Sequence, residues 1–552
     1  MDRVKFACSN EAEAQLFVGK ASVMPALPKP LVLLGASVRT AATTLRLRYG
    51  SNPVAAQHRT WRTLMGRFGR TVHGRAAHLG AGLSYGQFQA RVPLQTYEQI
   101  APLIERMKHG EADMLWPGQC SFYVLSAGTT TGRPKYLPAT GEMMAHFRRA
   151  AFAAGFYYTA RVGHTGVLRG RHLFLGGSTA LALLPESRPF EAYAGDLSSI
   201  VAFSLPAWVE KHLYEPGLEV SRIDDWDAKI KAITERCWQR DITLLAGIPN
   251  WLLLLVDALR VRARSHQRPI NRLQELWPNL ECLVHSGMPL GPFAEELRQT
   301  LGPAVKFHEV YAAAEGFIAA QDTNSSQGGL RLMADTGLFF EFLPMHDYDE
   351  TRLASLGAKA VPLEGVKPGV DYALLVTTPA GLCRHALGDV VRFLTTKPPR
   401  LIYVGRTKLQ LRAFGENVLE KEITDALTSV CANHGWQIVN FHLAPIFASS
   451  LTGQTRGGHE WWVELKPGTV ETPTGPVLAA GLDTELRRLN ADYSARRKSG
   501  IIEPPVVRLV MPGVFEQWMR HRARWGGQHK MPRCRSDREI ADELAQLARF
   551  HA

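Results

Sequence analysis

The chain has 552 residues, of which 45% are hydrophobic and 21% charged, and it carries a formal net charge of +13. That length calls for more than one core, and the composition excludes a disordered or fibrous protein. A basic balance of this size suits a polyanionic ligand, a nucleic acid or an anionic membrane face, or simply a solvated basic surface.

The first stretch, up to about Gly50, contains PALPKPLVLLGASVRTAATTLRLRYG and reads as a basic amphipathic helix. It either packs on its own domain or lies on a membrane surface. Ahead of it, MDRVKFACSNEAEAQLF has acidic residues where a signal peptide needs an apolar core. Helical spacing dominates from Asn52 to Trp116, as in EQIAPLIERM. Short apolar runs then alternate with helical patterns: CSFYVLSA, GEMMAHFRRAAFAAGF, RHLFLGG, ITLLAGIP, NWLLLLVDALRVRA, LECLVHSG and KFHEVYAAAEG. This rhythm predicts parallel sheet with crossover helices. The run WLLLLVDAL from Trp251 is too short to span a bilayer and reads as a buried helix.

From Gly328 to Phe393 the strands become short and closely spaced, which predicts a more antiparallel, β-rich unit. After about Lys408 the pattern changes again, to a helix at NVLEKEITDALTSV, a strand at EWWVEL, a helix at LDTELRRLNADYSARRK and a polar tail. The expected architecture is α/β: a large N-terminal domain over 1–407, with mixed sheets and a β-rich subdomain, and a smaller α+β domain over 408–552. Seven scattered cysteines with no C-x-x-C pair argue for a reducing, cytoplasmic setting. No basic stripe interleaved with aromatics points to nucleic acid, and no stable membrane insertion is expected.

The stretch Ser121–Lys135, SFYVLSAGTTTGRPK, places hydroxyls and glycines directly after an apolar strand. Glycines admit an anion to the backbone, and hydroxyls and amides donate to its oxygens. It is not a P-loop, because the only Gly-Lys dipeptide, Gly19–Lys20, is followed by Ala21. The dinucleotide fingerprint is missed too, since GAGLSYG from Gly80 has its last glycine one place late. A serine-hydrolase elbow at GGSTA, with Ser178 as nucleophile, ends in Ala180 instead of glycine and stays as a runner-up.

The loop resembles the first motif of adenylate-forming enzymes, and specifically of the GH3 family of acyl-acid amide synthetases. VYAAAEGFIA from Val310, DTGLFFEFLP, GLCRHALGDVVRF, YVGRTKLQLRAFGENVLE and WGGQHKMPRC are similar to further family motifs and follow in the same order, from about Asn52 to Cys534. The resemblance implies an ATP-dependent ligase that activates a carboxylic acid as an acyl-adenylate and passes the acyl group to an amine such as an amino acid. It implies ATP and Mg²⁺ as cofactors. Ser126, Thr129 and Thr130 would hold the β- and γ-phosphates, with Thr129 among the catalytic groups. Glu315 would touch the magnesium, Tyr311 the adenine face, and Ser286 and Gly287 the loop beneath the base. Asp389 would accept from the ribose hydroxyls, Arg406 would lie near the ribose or phosphates, and Lys530 would be the catalytic lysine.

Two departures stand out. The family's serine before the glutamate is Ala314 here, and its R-Y-R is Arg384, His385 and Ala386. The acid pocket is expected around GGSTA, AGDLSSI and AGIPNW. Transfer to a thiol, as in acyl-CoA ligases, and a catalytically inactive nucleotide-binding scaffold remain open alternatives. The acid, the amine and the oligomeric state are not legible.

Overall fold

The computed structural model describes residues 27–50, 52–126, 135–286, 290, 293–324, 328–407, 410–411, 413–414, 416, 418–448, 456–467, 473–522, 524–526 and 530–550. Its first helices start where local chemistry directs them. Asn52 caps the helix Pro53–Phe68 by accepting from the Ala55 N–H at 2.9 Å, and a proline at the first helical position costs no hydrogen bond. Thr140 caps the long helix Gly141–Val162, which ends at left-handed Gly163.

A twelve-stranded sheet forms the centre. Its parallel part runs Tyr214–Glu215, Arg171–Leu175, Ile242–Gly247, Cys282–His285, Lys306–Ala313. Ile242–Gly247 and Cys282–His285 are short, mostly apolar and largely buried, as crossover helices on both faces demand. At Lys306–Ala313 the direction of pairing changes, and antiparallel strands continue through Gly316–Ala320, Leu330–Leu332, Pro399–Arg406, His385–Thr396, Asp371–Thr377 and Phe339–Pro344. The β-rich unit expected from the sequence is thus continuous with the parallel sheet. A separate four-stranded sheet holds Phe122–Ser126 between Lys135–Pro138 and Tyr193–Gly195.

The C-terminal part has its own three-stranded sheet, Ile438–Ala448, Arg456–Leu465 and Val506–Leu509, backed by the helices Glu420–His434 and Gly475–Leu489. Leu427, Phe441, Trp461, Leu482 and Tyr493 fill its core. The single helix expected from LDTELRRLNADYSARRK is two, because Asn490 leaves helical geometry and caps Ala491–Lys498 by accepting from the Tyr493 N–H. The expected polar tail is also ordered. It forms helices Val514–His521 and Glu539–Phe550, which bury Phe515, Trp518, Met519, Ile540 and Leu544. Their apolar positions recur every three or four residues between charges, so bulk polarity conceals the buried stripe.

Candidate active site

A cleft of about 2590 Å³ opens between the twelve-stranded sheet, the four-stranded sheet and the C-terminal part. Its lining includes His285 and Ser286 at the carboxyl end of Cys282–His285 and Tyr311, Ala312 and Ala313 at that of Lys306–Ala313, the ends at which α/β sheets place their ligands. Ser126, Ser286, Tyr311, Glu315, Asp389, Arg406 and Lys530 all line it. Residues far apart in sequence therefore meet on one surface.

Ser126 ends its strand and pairs in register with Lys135. These two residues flank 127–134, so Thr129 and Thr130 lie outside the described residues, as does Gly287 beyond Ser286. Lys135 reaches back toward Glu98, with Nζ 3.5 Å from its carboxylate, and lies over the Tyr97 ring.

Asp389 and Arg406 face each other across two antiparallel strands, which puts Arg406 Nε 3.4 Å from Asp389 Oδ1. Tyr311 donates its hydroxyl to Asp389 Oδ2 at 2.6 Å, and its ring stands edge-on to Tyr403. Burial raises the Asp389 carboxyl above the usual carboxylate range, while Arg406, Tyr311 and Lys530 hold it down. The Tyr311 hydroxyl is pushed far up by burial and by Asp389, so it acts as a neutral donor. Asp389 Oδ1 is buried and has no hydrogen-bond donor among the described residues. A buried acceptor left in that state is costly unless a ligand fills it.

Glu315 occupies the two-residue turn between Lys306–Ala313 and Gly316–Ala320. Burial raises its pKa, with Arg406 and Lys135 pulling the other way. His146, absent from any motif, fixes this turn. Its Nε2 accepts from the Phe317 N–H at 2.9 Å, and its Nδ1 lies 3.0 Å from the Thr336 carbonyl. Burial lowers its pKa to about 4, so the ring is neutral with the proton on Nδ1.

Lys530 stands open to the water of the cleft, enclosed by protein mass on both sides. That enclosure, together with the Arg406 guanidinium, lowers its ammonium to about 8 against the pull of Glu420 and Asp389. Glu420, the first residue of the helix Glu420–His434, also lines the cleft, and burial raises its pKa against Arg533, Arg406 and Lys530. Glu420 closes the motif YVGRTKLQLRAFGENVLE, but sequence reasoning gave it no role, because Arg406, Lys530 and Arg533 meet it only in the fold.

Other expectations shift. Of the segments expected to shape the acid pocket, Asp196, Leu197 and Ser198 line the cleft together with Val201, Leu125 and Phe147. GGSTA and AGIPNW contribute no lining residue. Ser178 donates to the Arg222 carbonyl and accepts from the Ala180 N–H, so its hydroxyl is committed to its own loop and not to a histidine. Arg384 points away from the cleft into a buried ion pair with Glu341 at 2.9 Å. Ala314 and Ala386 line the cleft and leave it wider at those positions.

Sequence profiles match in the order the site implies: the GH3 family N-terminal domain over residues 47–306, the central domain over 331–406 and the C-terminal domain over 421–539. The chain belongs to the GH3 family. It is by family an adenylate-forming ligase, an acyl acid amido synthetase. Indole-3-acetic acid-amido synthetase GH3.8 of Oryza sativa subsp. indica is 26% identical, with 88% of each chain covered. The probable indole-3-acetic acid-amido synthetase GH3.12 of Oryza sativa subsp. japonica is 25% identical, over 82% of this chain and 87% of that one. Among solved structures, the AtGH3.15 acyl acid amido synthetase in complex with 2,4-DB superposes with a TM-score of 0.73 at 18% identity, covering 95% of this chain and 98% of that one. This last likeness is one of fold.

Proposed function

We propose that this cleft uses ATP to activate a carboxylic acid of moderate size, aromatic or aliphatic, and transfers the acyl group to an amino acid. The buried Oδ1 of Asp389, which faces Arg406 but accepts no hydrogen bond among the described residues, carries this reading. An ionised carboxylate only accepts, so it suits a pair of ribose hydroxyls. In the first step a carboxylate oxygen attacks the α-phosphorus, the bond to the β-phosphate bridge breaks, and pyrophosphate leaves. In the second, the amine nitrogen attacks the acyl carbon, loses a proton, and AMP departs with the oxygen.

Such chemistry is mainly positioning and charge neutralisation. Asp389 holds the ribose, and Tyr311 fixes the carboxylate through its hydroxyl while its ring lines the cleft toward the base. Ser286 and Gly287 lie beneath the adenine. Ser126, Thr129 and Thr130 receive the β- and γ-phosphates, and Arg406 sits between ribose and phosphates. Lys530 offsets the charge that develops at the α-phosphate. Among the described residues no three His, Cys, Asp or Glu side chains come together, which fits a Mg²⁺ held by Glu315 and phosphate oxygens. That ion would neutralise phosphate charge.

The apolar lining by Leu125, Phe147, Leu197 and Val201 favours an acid with a hydrophobic body. The indole-3-acetic acid named for the rice relatives falls in that class. We assign residues 1–407 and 408–552 to two domains that turn about a hinge near Lys408 between the steps, in the cytoplasm. The test is acid-dependent pyrophosphate release from ATP and Mg²⁺ over a panel of aromatic and aliphatic acids, with and without mixed amino acids. Release with one acid, followed by an amide product, supports the reading. Consumption of the preformed adenylate by coenzyme A and not by amino acids would replace it with the thiol ligase.

A further inference from the structure

The helix Lys29–Tyr49 precedes almost all of the family-matched region, and none of its residues lines the cleft. Its 21 residues extend about 31 Å at the usual rise per residue. One face packs on the protein: Ala36 is buried, Thr40 bonds Thr159 at 2.9 Å and Leu47 joins the core. The opposite face carries Leu31, Leu34, Val38, Leu45 and Tyr49, continued upstream by Leu27. All are between 52% and 76% exposed. They recur at three, four and seven residues, so they form one continuous stripe on a helix. Ala41 and Ala42, also exposed, fill the gap between Val38 and Leu45.

Scattered exposed apolar residues need no explanation, whereas an aligned row of large ones marks an interaction surface. Charge indicates the occupant. The helix contains Lys29, Arg39, Arg46 and Arg48 and no acidic residue. Arg39 and Arg46 border the stripe on one side and Arg48 on the other, by the angular spacing of a helix, with Arg46 already paired to Asp335 and Arg39 and Arg48 left to face an anionic partner. Two copies of this face would bring arginines against arginines, and the chain as a whole is +13. An apolar stripe between basic borders, with a tyrosine at one end, matches an anionic bilayer surface, which takes the side chains into its headgroup region and pairs Arg39 and Arg48 with lipid phosphates. Among the described residues no helix is long and apolar enough to cross a membrane, so the contact is peripheral.

We infer that Lys29–Tyr49 docks the enzyme on an anionic phospholipid surface through the stripe Leu31, Leu34, Val38, Leu45 and Tyr49. The full chain is mixed with vesicles of phosphatidylcholine containing phosphatidylglycerol, or of phosphatidylcholine alone, and sedimented. Binding to the anionic vesicles is expected, and it should weaken as salt rises. Leu34→Glu is expected to reduce it about tenfold or more, since a charge replaces an inserted side chain. Thr44→Glu adds the same charge off the stripe on the exposed helix surface and is expected to cost far less. Both variants should release pyrophosphate as the parent does, which shows that they fold. Equal loss from both variants, equal binding to neutral vesicles, or no binding by the full chain would overturn the proposal. So would a two-chain particle in light scattering that Leu34→Glu dissociates, because the occupant would then be a second copy.

Discussion

Trp525 stands edge-on to Trp251, with ring centroids 4.9 Å apart and planes at 89°. Trp251 in turn meets Trp226 at 5.2 Å. This contact ties the segment that carries Lys530 to the helix Pro249–Ser265 of the large part. Gly526, next in the chain, has φ of +86°, and a Cβ there would come within 2.4 Å of the Trp226 ring. The tryptophan and the glycine that open WGGQHK are therefore explained by packing, and they set where Lys530 enters the cleft.

Trp525→Ala should accordingly lower the rate of acid-dependent pyrophosphate release by about 10- to 100-fold, the range expected when a catalytic group is misplaced by about 1 Å. The KM for ATP should change little, because Asp389 and Tyr311, the residues proposed to hold the nucleotide, are untouched. A fall in both half-reactions together with a lower melting temperature would make the tryptophan contact a matter of stability alone.

Asp389→Asn keeps the size of the side chain but removes its charge and one acceptor. A hydrogen bond to a charged group is worth about 1.5–3 kcal/mol, so the KM for ATP should rise about 10- to 100-fold. An unchanged KM would remove Asp389 from the ribose. The same substitution leaves Arg406 facing a neutral amide, so the apparent affinity for ATP should become more sensitive to salt, which isothermal titration can follow.

The site shows what a single sequence can and cannot disclose. Ser126, Glu315, Asp389 and Lys530 each stand inside a contiguous motif whose family resemblance suggested a role, and the structure brings these four to one cleft. His146 acts through partners distant in sequence, so no local pattern marks it, and Glu420 closes the quoted motif YVGRTKLQLRAFGENVLE without any local sign of the charges it meets in the cleft. The alternation of short apolar runs and helices announced parallel sheet. It could not show that the sheet continues unbroken into the antiparallel strands, because only the pairing of Lys306–Ala313 with Gly316–Ala320 reveals that. The N-terminal helix was legible as amphipathic, but which of its two apolar faces packs inward depends on Ala36 and Thr40 finding Thr159 and its neighbours.

Arg384, the one arginine kept from the family's R-Y-R, is structural. It is fully buried against Glu341, also donates to the carbonyls of Val92 and Gly357, and lies over the Phe88 ring. Arg384→Ala leaves a buried carboxylate without its partner, which costs about 3–5 kcal/mol. Denaturant unfolding should report that loss. The KM for ATP of the fraction that folds should stay close to the parent's, and a specific rise in it would give Arg384 a part in nucleotide binding.

The pH profile tests the electrostatics of Lys530 directly. Its ammonium is lowered to about 8 from an ordinary 10.5, and the proposed role requires the charged form. The sign follows: kcat/KM for adenylation should be flat below that value and fall as pH rises through about 8, since it reports the free enzyme. The limb for kcat should lie higher, because bound phosphates favour the ammonium. Lys530→Arg stays charged throughout the range and should lose rate and the alkaline limb together. Glu420→Gln supplies the converse. Glu420 is one of the charges holding the lysine up, so neutralising it should move the alkaline limb toward neutrality. A limb that ignores Glu420→Gln and persists in Lys530→Arg belongs to another group, and Lys530 would then act only through contacts that do not depend on its charge.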